Sequence, residues 1–310
     1  MTSNVSAIEQ DKKKFADTID SAILTLCDER SAGQIIGGRV IGSLIQLEIP
    51  ENLVIVGDLH GDIKSLKRIL EEIDFENFLS KFNNKIIFLG DYIDRGSHSL
   101  EVLQYICYLK CEYHDSIILM RGNHEAPIEF PFSSHDFPFK IQEYFGQNWW
   151  HVYKKALDLF RLFALVTVIN NKLFLVHGGP PVKLHNYKES ISTASLDYEN
   201  NSVLEEILWN DPRPLKYSIT FEKSRRSFGK HFGEEISKNC LETTNTCAIV
   251  RSHEPCQKYR LDHNNMVMTI FSCGESYPNF VPSYLFLTGK QLDTIQNASD
   301  LIQYIREIKK

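Results

Sequence analysis

Residues 86–96 read Ile-Ile-Phe-Leu-Gly-Asp-Tyr-Ile-Asp-Arg-Gly: an apolar run, then a glycine and a burst of charge. A continuous β-branched and apolar run of this length is how a strand buried on both faces reads. The same figure recurs along the chain. Leu53–Val56 runs into Gly57-Asp58-Leu59-His60-Gly61, and Ile117–Met120 into Arg121-Gly122-Asn123-His124-Glu125. Leu173–Val176 runs into His177-Gly178-Gly179, and Ala248–Val250 into Arg251-Ser252-His253. Helical patterns separate the first three runs. Leu66, Ile69, Leu70 and Ile73 share one face; Leu100, Leu103, Cys107 and, less cleanly, Leu109 share another. The order strand–helix–strand–helix–strand predicts an α/β fold built on βαβαβ, with right-handed crossovers and parallel pairing. Such sheets bind ligands at the carboxyl ends of their strands. All of these polar clusters are therefore expected to converge on one edge.

The flanks read differently. Residues 8–30 predict one amphipathic helix, with Phe15, Ile19, Ala22, Ile23 and Leu26 on its apolar face and Lys12, Lys13, Asp17 and Glu29 opposite. Gly37-Gly38 and Gly42 break that pattern before the lead-in strands Leu44–Ile49 and Leu53–Val56. The charged segment 300–310 reads as helical. With 310 residues, 43% of them hydrophobic and 24% charged, the chain can bury a full core, which excludes a disordered or collagen-like protein. A net charge of −6 argues against a nucleic-acid partner, which usually meets a basic stripe. The apolar runs are strand-sized, so no membrane span is expected. The polar segment Met1–Lys14 lacks the apolar core of a signal peptide. The 7 cysteines are scattered without a Cys-x-x-Cys pair, which speaks against a disulfide framework or a thiolate zinc site. Reduced thiols and a cytoplasmic location are the expectation.

The polar clusters supply Asp58, His60, Asp91, Asn123, His177 and His253, each just past an apolar run. Carboxylate, imidazole and amide oxygen, with no thiolate, suit divalent ions such as Mn²⁺, Fe²⁺ or Zn²⁺. The set exceeds what one ion with an open position needs and suits two ions about 3.5–4 Å apart sharing a carboxylate. Taken singly, each cluster would pass for a turn, a capping aspartate or a hydrogen-bonded histidine. Their shared position in the pattern is what argues for a metal centre.

These motifs resemble the phosphoprotein phosphatases, metal-dependent serine/threonine phosphatases among the calcineurin-like metallophosphoesterases. The matching stretches are Gly57–Gly61 (GDLHG), Gly90–Gly96 (GDYIDRG), Arg121–Glu125 (RGNHE), His177–Gly179 (HGG), Trp209–Pro212 (WNDP) and Arg251–His253 (RSH). The resemblance runs from about residue 50 to about residue 275. The continuation His177-Gly-Gly-Pro-Pro and the segment Phe130–Phe139 look more like archaeal members than eukaryotic ones. The resemblance implies mixed β-sheets in a sandwich flanked by helices. Together with the flanks, the single domain is read as an N-terminal helix with lead-in strands (1–50), a metallophosphoesterase catalytic unit (51–290) and a C-terminal helical extension (291–310).

The resemblance also implies roles. Asp58, His60 and Asp91 hold one ion, and Asp91, Asn123, His177 and His253 the other, so that Asp91 bridges. A hydroxide between the ions attacks phosphorus in line. His124 protonates the leaving serine or threonine oxygen, oriented and kept charged by Asp94. Arg95 and Arg226 clamp the phosphoryl oxygens, with Asn123 also facing the phosphate. Arg226 follows from its place six residues before Phe232-Gly233; Arg225 is the fallback. The implied substrates are phosphoserine and phosphothreonine proteins, and nothing in the sequence identifies a regulatory subunit.

One stretch departs from the pattern. The family's Phe-Ser-Ala-Pro-Asn-Tyr stands here as Phe271-Ser272-Cys273-Gly274-Glu275-Ser276-Tyr277, with the tyrosine one position late, so no role passes to Tyr277. Three other readings compete. A dinucleoside-polyphosphate hydrolase shares most metal motifs, but such relatives generally lack the aspartate that stands here as Asp94. A nuclease is disfavoured by the acidic balance. A non-catalytic phosphoprotein-binding scaffold would be expected to have lost a ligand position, and all are intact.

Overall fold

The computed structural model describes residues 2–184, 186–195, 202–216 and 219–309. Every apolar run singled out in the sequence is a strand, and the strands form the mixed sheets of a sandwich that the resemblance implied. The first sheet has 5 strands in the order β16-β15-β4-β5-β6. Here β4 is Asn52–Val56, β5 Asn84–Phe88, β6 Ile117–Leu119, β15 Ser283–Thr288 and β16 Ile305–Glu307. The second has 8, in the order β1-β2-β3-β7-β8-β12-β14-β13. These are β1 (Gln34–Ile35), β2 (Gly38–Ile41), β3 (Leu44–Leu47), β7 (Val166–Ile169), β8 (Leu173–Val176), β12 (Ala248–Arg251), β13 (Tyr259–Asp262) and β14 (Val267–Ile270). A small 3-stranded sheet joins β9 (Asp211–Pro212), β10 (Phe221–Lys223) and β11 (Lys230–Phe232).

Side chains alternate across a strand, and this explains why the runs are apolar throughout. Leu53 and Ile55 of β4 point into a core between the two sheets with Ile87, Leu175, Val250 and Met268. Val54 and Val56 point the other way, into a core under the helices. That helical layer comprises α1 (Thr2–Ala32), α2 (Ile63–Glu72), α3 (Phe75–Leu79), α4 (Ser99–Glu112), α5 (Phe137–Phe145) and α6 (Trp149–Arg161). On the far face of the larger sheet, Val166, Phe174, Val176 and Ile249 pack under α7 (Tyr187–Thr193), α8 (Ser202–Trp209) and α9 (Glu234–Thr244). The layering is helix, sheet, sheet, helix.

As expected, β4, β5 and β6 pair in parallel, and so do β8, β12 and β14. The carboxyl ends of β4 and β5 thus meet those of β8 and β12 across the sandwich. Hydroxyls stitch the two sheets at this rim. Ser252 Oγ accepts from Asp58 N at 2.9 Å and donates to the Ile270 carbonyl at 2.8 Å. Ser272 Oγ accepts from Gly57 N at 2.8 Å. The approach is too close for a side chain at residue 57, where a Cβ would stand 2.7 Å from Ser252 Oγ.

The N-terminal helix buries Phe15, Ile19, Ala22 and Leu26 as its periodicity requires, against α4 and α6. The C-terminal segment departs from the helical reading. After α10 (Gly289–Thr294), residues Ala298–Tyr304 form a 3-10 turn and Ile305–Glu307 form a strand. The physical reason is the open edge of β15. Antiparallel pairing there satisfies the backbone of residues 305–307 and lets Ile308 be buried, which a charged, solvated helix would not do.

Candidate active site

The site lies where the two sets of strand ends face each other. Asp58 and His60 follow β4, Asp91 follows β5, Asn123 and His124 follow β6, His177 follows β8, and His253 follows β12. All are buried. Their backbones are unusual: φ is +43° at His60, +56° at Asp91, +67° at Asp94 and Arg95, and +68° at His253. Left-handed backbone at residues bearing a Cβ costs roughly 1–3 kcal/mol each and persists only where the surroundings dictate it. Glu125 supplies much of that dictation. Its carboxylate accepts from Asp91 N (2.8 Å), Tyr92 N (2.9 Å) and Gly122 N (3.0 Å), cross-linking the loops after β5 and β6.

Asp91 sits at the centre. Its Oδ1 is 3.5 Å from His177 Nε2, and its Oδ2 is 3.6 Å from His60 Nε2. Each oxygen therefore faces a different half of the site. On one side, Asp58 Oδ2 lies 3.5 Å from His60 Nε2. On the other, Asn123 Oδ1 lies 3.1 Å from His177 Nε2 and 2.8 Å from His253 Nδ1. The remaining ring nitrogens are engaged behind the cluster: His60 Nδ1 at 3.1 Å from the Ile93 carbonyl and His177 Nδ1 at 2.9 Å from that of Leu89. Backbone acceptors at those positions fix the tautomer and leave each Nε2 lone pair facing inward.

The sequence of the chain matches the profile of the calcineurin-like phosphoesterases over residues 52–257. The chain belongs to that family, in its phosphoprotein phosphatase branch. It is 30% identical over 302 residues to a protein of Encephalitozoon cuniculi named "probable serine/threonine-protein phosphatase", covering 93% of this chain and 60% of the relative. It is 32% identical over 249 residues to serine/threonine-protein phosphatase 5 of Arabidopsis thaliana, covering 77% of this chain and 42% of that protein. The chain thus spans about half the length of these curated relatives. These relatives are eukaryotic and lend no support to an archaeal affinity. A solved protein serine/threonine phosphatase from Saccharomyces cerevisiae, described as similar to human phosphatase PP5, superposes with a TM-score of 0.75 at 21% identity, covering 100% of this chain and 96% of that one. It shares the fold.

The chemistry of this phosphatase-family cluster fits divalent cations. Asp58, Asp91 and Glu125 are carboxylates with at most 1% exposure. Among the described residues, the ion pairs of Asp58 and Asp91 are all with histidines. Asp58 Oδ2 is buried with no hydrogen-bond partner, an acceptor that a bound cation would satisfy. Burial, with the charges of Asp58 and Glu125, pushes Asp91 well above the usual carboxylate range. Burial would also raise Asp58, but His60 and His177 more than offset it and hold that carboxyl low. Burial lowers His177 to about 4 and His253 well below its ordinary value, keeping both rings unprotonated as ligation requires. Distance alone also groups His124 with His60 and Asp91. Yet His124 Nδ1 is taken by Asp94 Oδ2 at 2.6 Å, and its Nε2 lies 3.2 Å from Arg95 Nη2. A guanidinium at that nitrogen disfavours a second cation, so Asp58 is the better ligand for this half.

The expectation that Asp94 keeps His124 charged needs correction for the free protein. Burial outweighs the Asp94 bond and pulls the imidazole down to about 3. The neutral ring then donates from Nδ1 and accepts from Arg95 at Nε2. Arg95 and Arg226 are both exposed at the mouth. Arg226 Nη1 is 2.5 Å from His253 Nε2, and its Nε is 3.6 Å from Asp211. Arg225 is exposed and has no described contact with the cluster.

Tyr277 reaches the site despite its shifted position. Its hydroxyl contacts Arg95 Nη1, and its ring lies 5.9 Å from that of His60. The divergent loop is pinned by Asp62 Oδ2, which accepts from Gly274 N and Glu275 N at 2.8 Å each. Sequence reading gave Tyr277 no role, and it missed Glu125 and His135, whose Nδ1 is 2.9 Å from Asp94 Oδ2. The signal for Glu125 was its place in RGNHE.

Proposed function

We propose that this chain is a dinuclear-metal serine/threonine protein phosphatase acting on phosphoserine and phosphothreonine proteins in the cytoplasm. The observation that carries the reading is Asp91, whose two carboxylate oxygens face separate ligand sets. Asp58, His60 and Asp91 would hold one divalent ion, and Asp91, Asn123, His177 and His253 the other. Mn²⁺ is the ion proposed to support activity in vitro, with iron and zinc as native candidates. When bound, two such ions neutralise phosphoryl charge and activate water for in-line attack on phosphorus.

The chain's own residues supply the rest. Arg95 swings from His124 Nε2 onto the phosphoryl oxygens, joined by Arg226; a planar fork suits that geometry better than an ammonium. Release of Nε2 lets His124 carry a proton there and hand it to the departing alkoxide while Asp94 holds Nδ1. Asn123 presents its amide at the same phosphate. Among the described residues no helix is long and apolar enough to cross a membrane.

The test is phosphate release from phosphoserine, phosphothreonine and phosphotyrosine peptides and from diadenosine tetraphosphate, each with and without Mn²⁺. Metal-dependent release from the first two is expected. Preference for the dinucleotide would replace the substrate assignment, and binding of phosphopeptides without turnover would leave a scaffold.

A further inference from the structure

We propose that His135, seated on Tyr153, is the positioning residue that fixes Asp94 and through it aims His124; this rests on the phosphatase reading above. Asp94 takes donors on both oxygens. Its Oδ2 accepts from His124 Nδ1 at 2.6 Å and from His135 Nδ1 at 2.9 Å. Its Oδ1 accepts the backbone N–H of Asp136 at 2.9 Å and of Phe137 at 2.8 Å. The segment 135–137, leading into α5, therefore grips a residue whose own backbone is left-handed. Remove the imidazole of residue 135 and Oδ2 keeps only the bond to His124, while the backbone bonds hold only Oδ1. The carboxylate is then steered on the His124 side by that bond alone, and the aim of His124 loosens with it.

The far side of His135 is equally defined. Its Nε2 lies 2.8 Å from the Tyr153 hydroxyl. Asp94 can only accept, so Nδ1 of His135 donates to it, and the Tyr153 hydroxyl engages Nε2, so that both nitrogens are satisfied. His135 is 11% exposed, so water competes weakly for these bonds. Phe132 packs its ring 4.5 Å from that of His124 and 5.5 Å from that of His135, walling both imidazoles on one side. The path Tyr153–His135–Asp94–His124 is a continuous chain of short contacts ending at the nitrogen opposite the proton donor.

A positioning role has a chemical signature that a structural one lacks. Aim at the leaving oxygen matters when that oxygen departs as a basic alkoxide and needs a proton; nitrophenolate departs without one. The experiment compares kcat and KM for a phosphoserine peptide and for p-nitrophenyl phosphate in the Mn²⁺-loaded wild type, His135→Ala, His135→Asn and Tyr153→Phe. Metal content and thermal unfolding are recorded for each protein.

The expected result for His135→Ala is a loss of about 10-fold in kcat on the peptide, a fraction of what a general acid contributes. The aryl ester should lose less than about 2-fold, with KM and metal content unchanged. His135→Asn, whose amide can still donate to Asp94, should recover most of the loss, and Tyr153→Phe should show a smaller loss with the same ester selectivity. Equal losses on both esters, no loss, or no recovery in His135→Asn would overturn the proposal. Should His135→Ala fail to fold, the same selectivity in Tyr153→Phe at native thermal stability decides the matter.

A second readout does not depend on turnover. In metal-free protein, the imidazole N–H protons of His124 and His135 bonded to Asp94 should both resonate far downfield. His135→Ala should remove one and move the other; an unmoved His124 proton contradicts the positioning role. A wild type that hydrolyses neither ester, with the downfield pair still coupled in this way, would sink the phosphatase reading and leave the geometry standing.

Discussion

Arg251 and Arg226 both pair with Asp211 and do opposite work. Arg251 is fully buried. Its guanidinium donates to the Gly178 carbonyl at 2.6 Å, to Glu254 at 2.9 Å, to the Asn210 carbonyl at 3.2 Å and to Asp211 at 2.9 Å. Arg226 is 38% exposed and rests on His253 Nε2. The same contrast separates buried Arg121, bonded to the Glu125 carbonyl and Glu129, from exposed Arg95. One kind of arginine belongs to a frame that holds ligand loops in place; the other belongs to a mouth and remains available to an incoming anion. The difference lies in burial: Arg251 and Arg121 are closed off from solvent, whereas Arg226 and Arg95 open onto it.

Frame and mouth should therefore fail differently. Asp91→Asn, in the frame, is expected to cut turnover by at least about 10³-fold, because it removes the shared ligand and several kcal/mol of transition-state stabilisation. Its metal-free form should melt no lower than wild type, since a carboxyl crowded by Asp58 and Glu125 is gone. Metal analysis and calorimetry check both halves. Next, Arg251→Met leaves Asp211 buried without its main cation and should lower unfolding stability by about 3–5 kcal/mol. A denaturant titration that shows wild-type stability would break the distinction.

Arg95→Ala, in the mouth, is expected to lower kcat/KM on a phosphoserine peptide by about 10²-fold with no change in melting temperature. A drop in melting temperature instead would move Arg95 into the frame. Tyr277→Phe removes only the hydroxyl that braces Arg95. Steady-state kinetics should show a loss of about 3- to 10-fold, the worth of one hydrogen bond, with metal content unchanged. A loss of metal there would mean the divergent loop supports the ligands and not the mouth.

Most of the frame was legible in the sequence, because its physics is local. Leu53–Val56 and Ile86–Leu89 are apolar on both faces for a reason the sandwich explains, and Asp58 and Asp91 follow them directly. What pairs with what was not legible. The division of the strands between two sheets depends on β15, which enters from residues 283–288 and pairs antiparallel with β4. The turn of the C-terminal segment into an edge strand depends on that same neighbour. The long-range contacts of the site were equally hidden. Asp62 looks like the N-cap it is, and nothing local says it also pins Gly274 and Glu275. His135 lies 41 residues from Asp94, and its meaning appears only once α5 is placed.

The central claim is that Asp91 joins two divalent ions that the reaction requires. The most direct measurement is phosphate release from a phosphoserine peptide by metal-stripped protein titrated with Mn²⁺, with bound metal counted at each point. The account predicts no release without metal and saturation at about two ions per chain. Release from the stripped protein, or full rate at one ion per chain, would contradict it.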